Sequence, residues 1–225
     1  MNNCMYCGEP KSARPMWSTL FWPERLTSLC ESCASSFPLL TNQGCPSCMK
    51  QAGSDICSDC LQWETSDYQA VLDKNVSLYS YNYFIRDYVA QWKYRGDYAL
   101  GKVFEQAFRQ LFQRHFSNQQ YFAVPIPLSD ERMQERGFNQ AAELADFTGA
   151  TQIEVLGRKH GEKQSKRSKR HRMRADNPFY LLGESPRYTV LIDDIYTTGA
   201  TLRHAAQVLK ENGAQKIAAC TLIRG

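Results

Sequence analysis

The chain has 225 residues, 43% of them hydrophobic and 22% charged, enough for one α/β domain of roughly 150 residues with a small module beside it. No apolar run approaches the ~20 residues that span a bilayer, and Met1 to Pro10 lacks the basic-then-apolar order of a secretory signal, so a cytoplasmic protein without membrane insertion is expected. The formal net charge is +4, yet residues 158–174 alone carry nine basic residues and one acidic residue, which leaves the rest mildly acidic.

Eight of the nine cysteines fall within the first 60 residues as four C-x-x-C pairs: Cys4/Cys7, Cys30/Cys33, Cys45/Cys48 and Cys57/Cys60. Each pair supplies half of a tetrahedral four-thiolate shell, so four pairs suit two metal ions. Sequential pairing, the simplest arrangement, groups Cys4, Cys7, Cys30 and Cys33 apart from Cys45, Cys48, Cys57 and Cys60. A crossed pairing, first with third and second with fourth, is also compatible with the spacing. A reducing compartment argues against disulfides, and thiolates suit iron–sulfur clusters as well as zinc. Two structural Zn²⁺ ions are the expectation, because four thiolates leave no open position for chemistry. Residues 1–64 then form a double zinc-binding module, residues 65–76 a connector and residues 77–225 the main domain.

From Leu78 the chain turns aromatic. Ile85, Tyr88, Val89 and Trp92 follow the i, i+3, i+4, i+7 spacing of an amphipathic helix, a stripe expected in the core rather than stacked on nucleic-acid bases. A second helix is predicted over Gly101 to Phe116, with Val103, Phe104, Phe108, Leu111 and Phe112 inward. The four histidines show no metal or triad spacing. Phe122 to Ile126 reads as the first central strand. Arg132, Arg136 and Gly137 follow, just before a helix from about Asn139 to Phe147 closed by Gly149; two arginines beside a helix start make an anion site.

Thr151 to Leu156 is predicted as another strand, and the basic run comes after it. Such a run can close over a bound anion as a lid. It can also contact single-stranded DNA through Arg158, Lys159, Lys163, Lys166, Arg167, Lys169, Arg170, Arg172 and Arg174; the charge density exceeds what one pyrophosphate needs, which favours DNA. Pro178 to Leu182 and Tyr188 to Ile192 are expected as strands flanking a hairpin-like turn.

Residues 188–202, YTVLIDDIYTTGATL, carry the densest chemistry. A buried strand is predicted to end at Ile192, where Asp193 and Asp194 interrupt the apolar run. Thr197, Thr198, Gly199, Ala200 and Thr201 form a small, hydroxylated loop before a helix to about Asn212, with Gly213 as its cap. The strand Lys216 to Ile223 completes a strand–helix–strand unit, so the two strands should run parallel. The lone Cys220 in that last strand reads as a small core residue. Backbone N–H groups and a helix N-terminus at the carboxyl end of a parallel strand cradle a phosphate. The acidic pair at its lip suits ribose hydroxyls or Mg²⁺, so a phosphorylated sugar with a diol fits.

The string VLIDDIYTTGAT closely resembles the phosphoribosyl-pyrophosphate (PRPP) signature of the type I phosphoribosyltransferases. That resemblance implies that Asp193 and Asp194 meet the ribose hydroxyls and that Thr197 to Thr201 hold the 5-phosphate. Arg132, Arg136 and Gly137 would then take the pyrophosphate end, with Mg²⁺ accompanying PRPP. With the paired cysteines and ERGFNQAAELA, whose RGFNQ (Arg136 to Gln140) is the most specific part, the whole chain resembles the ComF (ComFC) late-competence family. The resemblance implies an α/β, parallel-sheet phosphoribosyltransferase-like domain behind a double zinc module, a role in DNA uptake during transformation, and a helicase-like partner. Three functions are compatible with this: a PRPP-binding competence protein touching single-stranded DNA, an active phosphoribosyltransferase with an unknown acceptor, or a non-catalytic zinc adaptor. No catalytic base is legible. Nucleotide-salvage transferases usually continue beyond the equivalent of Gly225 to hold the nucleobase, and no acceptor pocket is expected here.

Overall fold

A computed structural model describes residues 3–11, 28–40, 44–51, 53, 55–94, 98–159 and 177–225. The cysteine-rich part uses one local design twice. Cys4 and Cys45 each open a tight turn, with Gly8 N–H donating to the Cys4 carbonyl (3.0 Å) and Met49 N–H to that of Cys45 (2.7 Å). The second pair of each set straddles a helix start: Cys30 caps α1 (Glu31–Ser35) and Cys57 caps α2 (Ser58–Glu64), so Cys33 and Cys60 lie one turn further on.

The main sheet has four parallel strands: β1 (Asn75–Ser80), β2 (Phe122–Pro125), β5 (Tyr188–Tyr196) and β6 (Lys216–Arg224), in the order β1-β6-β5-β2. Between β1 and β2 lie α3 (Tyr83–Tyr94), a 3₁₀ turn (Tyr98–Phe104) and α4 (Glu105–Phe116). After β2 come α5 (Asp130–Arg136) and α6 (Gln140–Thr148). Strands β3 (Leu156–Arg158) and β4 (Phe179–Leu181) pair antiparallel with each other, and α7 (Ala200–Glu211) joins β5 to β6. None of the helices among the described residues is long and apolar enough to cross a membrane.

Strand side chains alternate between the two faces of the sheet, and each face builds its own core. Val190, Ile192, Ala218, Cys220 and Leu222 pack with α3, α4, α6, Cys4 and Cys33. Leu191, Val124, Ile217 and Ala219 pack with α7 and with Cys45, Cys48, Cys57 and Cys60. Each cysteine cluster therefore belongs to a different side of the sheet. The stripe Ile85, Tyr88, Val89 and Trp92 is buried in the first core, and Cys220 is buried, both as expected.

Several boundaries differ from the sequence reading. The strand β1 precedes β2 and begins inside the segment read as a connector; its Asn75, Ser77 and Ser80 hid it among polar residues. Asn75 and Ser77 are nevertheless buried, with Ser77 Oγ 2.7 Å from Thr221 Oγ1. The strand read as central, β2, is an edge strand. Within Thr151 to Leu156 only a bridge from Gln152 to Ala123 and the first residue of β3 are extended pairings. Strand β4 pairs with β3 rather than with β5, so the expected hairpin does not form. Asp193 and Asp194 do not end β5: β6 continues alongside and the register runs on to Tyr196 opposite Arg224. Backbone pairing is indifferent to side-chain charge where the side chains reach a polar cavity. Gly101 to Phe104 form 3₁₀ turns, and the helix proper starts at Glu105.

Candidate functional site

β2 and β5 are hydrogen-bonded neighbours, so the chain segments leaving their carboxyl ends face one another. Between them lies a cavity of about 300 Å³, at the small end of the range for small-molecule sites. Arg132, Arg136, Arg158, Asp193, Asp194, Thr197 and Thr201 all line it, whereas Gly137, Thr198, Gly199 and Ala200 do not. Cations, carboxylates and hydroxyls thus converge on one volume.

Arg132 and Arg136 stand on a helix of their own, α5, and Arg158 on strand β3. Ser129 caps α5 by accepting from Arg132 N–H (3.4 Å), and Gly137 closes it in the left-handed conformation (φ 76°). Arg136 Nη1 donates to Gln140 Oε1 (2.6 Å), which ties the arginine to α6. Asn139 caps α6, accepting from Ala141 N–H at 3.0 Å, while its Nδ2 donates to the Ile126 carbonyl at 3.1 Å. Asn139 thus ties the strand end to α6, and the Arg136–Gln140 bond ties the arginine helix to the same element.

On the acidic side, Asp194 forms an ion pair with Lys93 of α3, each side chain retaining 14% exposure. Asp193 Oδ1 accepts from Asp194 N–H (2.9 Å), and burial pushes its carboxyl up to about 6 against the pull of Lys93 and Arg158. Lys93 escaped the sequence reading, as did Asn139 and Gln140 as individual site residues. Lys93 adjoins the buried stripe on α3, and nothing in its neighbours marks it as facing a site more than a hundred residues away. Arg158, read from the sequence as a DNA contact, lines the cavity, and burial lowers its pKa. Lys159 follows it, while Lys163, Lys166, Arg167, Lys169, Arg170, Arg172 and Arg174 lie outside the described residues.

The loop itself wraps a small cleft of about 40 Å³ lined wholly by Ile195 to Leu202. Gly199 is required there twice over. Its φ is 82°, and a Cβ would stand 2.3 Å from Tyr196 Oη and 2.5 Å from Arg203 Nη1. It caps α7 without a side chain; Ala200 N–H, the first of that helix, donates to Thr198 Oγ1 (3.3 Å), and the positive end of the helix faces the loop as a place for an anion.

The two cysteine clusters assemble in the sequential pairing, and none of these thiols is in a disulfide. Within each cluster the Sγ atoms lie within 4.8 Å of one another. Cys7–Cys30 and Cys45–Cys60 Sγ separations are 3.8 Å and Cys48–Cys57 is 3.6 Å. A tetrahedral metal with bonds of about 2.3 Å requires about 3.8 Å between sulfurs, so both clusters fit such an ion.

No protein-family model matches the chain. Competence protein ComFC of Bacillus subtilis (strain 168) is 36% identical over 226 residues, covering 98% of this chain and 94% of that protein. Competence protein ComFC of Streptococcus pneumoniae is 31% identical, covering 98% and 99%. Competence protein F of Haemophilus influenzae is 27% identical, covering 87% and 96%. Among solved structures, a purine phosphoribosyltransferase from Pyrococcus horikoshii Ot3 has a TM-score of 0.35 at 14% identity, covering 54% of this chain and 82% of that one. A hypoxanthine phosphoribosyltransferase from Staphylococcus aureus has 0.32 at 13%, covering 53% and 64%; overlaps this partial carry no functional argument. Full-length identity above 30% to two curated proteins does carry one: the chain belongs to the ComFC family of competence proteins.

Proposed function

We propose that this protein is a PRPP-binding, phosphoribosyltransferase-like component of the competence machinery that takes up DNA. The observation that supports this most directly is one cavity lined together by arginines, an acidic pair and two threonines of the loop, Thr197 and Thr201. PRPP carries a phosphate at one end, a diol in the middle and a pyrophosphate at the other, and the cavity offers a complement to each. Thr197, Thr198, Gly199, Ala200 and Thr201 would take the 5-phosphate, Asp193 and Asp194 the diol, and Arg132, Arg136 and Gly137 the pyrophosphate. A Mg²⁺ ion brought with PRPP would supply charge neutralisation beside the carboxylates.

In this reading residues 1–64 hold two structural Zn²⁺ ions, 65–76 connect, with Asn75 and Val76 entering the sheet, and 77–225 bind the ligand. The protein works in the cytoplasm. The basic run that starts at Arg158 contacts single-stranded DNA, and a helicase of the uptake machinery is a partner consistent with the competence role named for the relatives.

Titration calorimetry with PRPP and Mg²⁺ tests the central assignment. Saturable binding is expected, weakened at least ~100-fold in the Asp193→Asn, Asp194→Asn double variant through loss of charge-assisted hydrogen bonds. Unchanged affinity in that variant would sink the placement of the diol. Turnover is a separate matter, decided by whether pyrophosphate is released when candidate acceptors are added.

A further inference from the structure

Two hydrogen-bonded links run from the second cysteine cluster to the backbone of the anion loop. Trp63 makes the first. It lies three residues after Cys60 on α2, so thiol and indole share one face of a short helix. The indole is 1% exposed, and its Nε1 donates to the Thr198 carbonyl at 2.7 Å. Arg224, at the end of β6, makes the second. Its Nε donates to the Cys48 carbonyl (2.9 Å) and its Nη2 to Cys48 Sγ (3.3 Å). The same guanidinium reaches the other way, Nη1 donating to the carbonyls of Thr197 (2.9 Å) and Tyr196 (3.1 Å).

Three successive carbonyls, those of residues 196 to 198, are therefore held by Arg224, which is bonded to Cys48, and by Trp63, which stands on the helix that carries Cys60. A peptide unit is planar and trans, so a carbonyl held on one side points the following N–H to the other. Fixing the carbonyls of Thr197 and Thr198 thus aims the N–H groups of Thr198 and Gly199, two of the donors an anion cradle needs. Arg203 braces the same corner. Its Nη1 donates to Tyr196 Oη (2.6 Å) and its guanidinium lies over the Trp63 ring at 5.0 Å. The first cysteine cluster packs instead in the core on the other face, with Cys4 and Cys33 among the residues of α3 and α4.

We propose that Trp63 and Arg224 are positioning residues that make the anion loop depend on the second cysteine cluster and not on the first. With Cys45, Cys48, Cys57 and Cys60 drawn together on one metal ion, the two side chains hold the peptide planes of the loop in shape for a phosphate monoester. With that cluster open, the loop loses its backing and its affinity. The phosphate part of this inference rests on the function proposed above.

The test compares four full-length proteins, unaltered, Trp63→Phe, Cys57→Ser and Cys7→Ser, each with its metal content measured. Two readouts are taken: hydrogen exchange of the loop amides, and affinity for ribose 5-phosphate, which carries only the monoester. Trp63→Phe is expected to keep its metal and to melt within a few degrees of the parent. Its loop amides should exchange roughly ten times faster, with ribose 5-phosphate bound roughly ten times more weakly. Cys57→Ser should reproduce both changes, and Cys7→Ser should leave loop exchange within about twofold of the parent. Parent-like loop exchange in Trp63→Phe overturns the proposal, as does equal acceleration by Cys7→Ser and Cys57→Ser. If Cys57→Ser does not fold, Trp63→Phe alone decides. Failure of the unaltered protein to bind either ribose 5-phosphate or PRPP overturns the phosphate assignment instead, and loop exchange still decides the link.

Discussion

His204 shows how one buried residue can be read for consequences the motif does not announce. It sits on α7, 1% exposed, with its ring 4.9 Å from that of Tyr68 and Nε2 without a hydrogen-bond partner among the described residues. Burial, helped by the positive charge of Arg158, pulls its pKa down to about 4. A histidine whose folded pKa lies below its unfolded value of about 6.5 contributes fully to stability above that pH, and the contribution disappears as the pH falls from 6.5 through 4. The expected size is on the order of 3 kcal/mol at the acid end. Melting temperature measured against pH should fall less steeply across this window in His204→Gln than in the parent, and parallel profiles would refute the assignment. The sequence showed only a histidine without metal or triad spacing. Its environment depends on the ring of Tyr68 packed beside it and on the charge of Arg158, both far from it along the chain.

At the scale of elements, the site is built from helix starts and strand ends, and Asn139 joins one of each. Its side chain caps α6 and also donates to the last carbonyl before Pro127. Asn139→Ala should cost about 1–2 kcal/mol in urea denaturation, and Asn139→Ser, which can cap but cannot reach Ile126, should recover roughly half. Equal losses for both variants would mean that the cap contributes nothing. The helix and its Gly149 cap were legible in the sequence because such signals are local, whereas Asn139, read as the first helical residue, is in fact the N-cap. The strand β1 was not legible, since its polar residues are satisfied across the sheet by Thr221, a residue 144 positions away from Ser77. The end of β5 was misread for a related reason. Two adjacent carboxylates look like a strand terminus until a cavity lined with arginines and Lys93 is seen to receive them.

For the whole molecule, charge is the property that reaches furthest. The cavity is small and polar, while the basic run beginning at Arg158 gives the chain its positive sign. If the run meets DNA phosphates, affinity for single-stranded DNA should fall linearly on a double-logarithmic plot against salt, with a slope of about −0.7 per neutralised phosphate. Replacing Lys163, Lys166, Arg167, Lys169 and Arg170 by Gln should flatten that slope and weaken binding without altering PRPP affinity. A slope unaffected by these changes would assign DNA contact to another surface or to none.

What the chain's order of residues determined alone was a set of features whose physics is short-range. The four C-x-x-C pairs, the threonine loop behind an acid doublet and the Gly149 cap of α6 each declare their chemistry within a dozen residues. Tertiary structure decided everything that needed two distant segments in contact. It chose the sequential grouping of cysteines and put one cluster on each side of the sheet. It brought Lys93 to Asp194, and it tied Trp63 and Arg224 to the carbonyls of the anion loop. The physical reason is that a hydrogen bond or ion pair depends on separations of a few ångströms in space, whatever the separation along the chain.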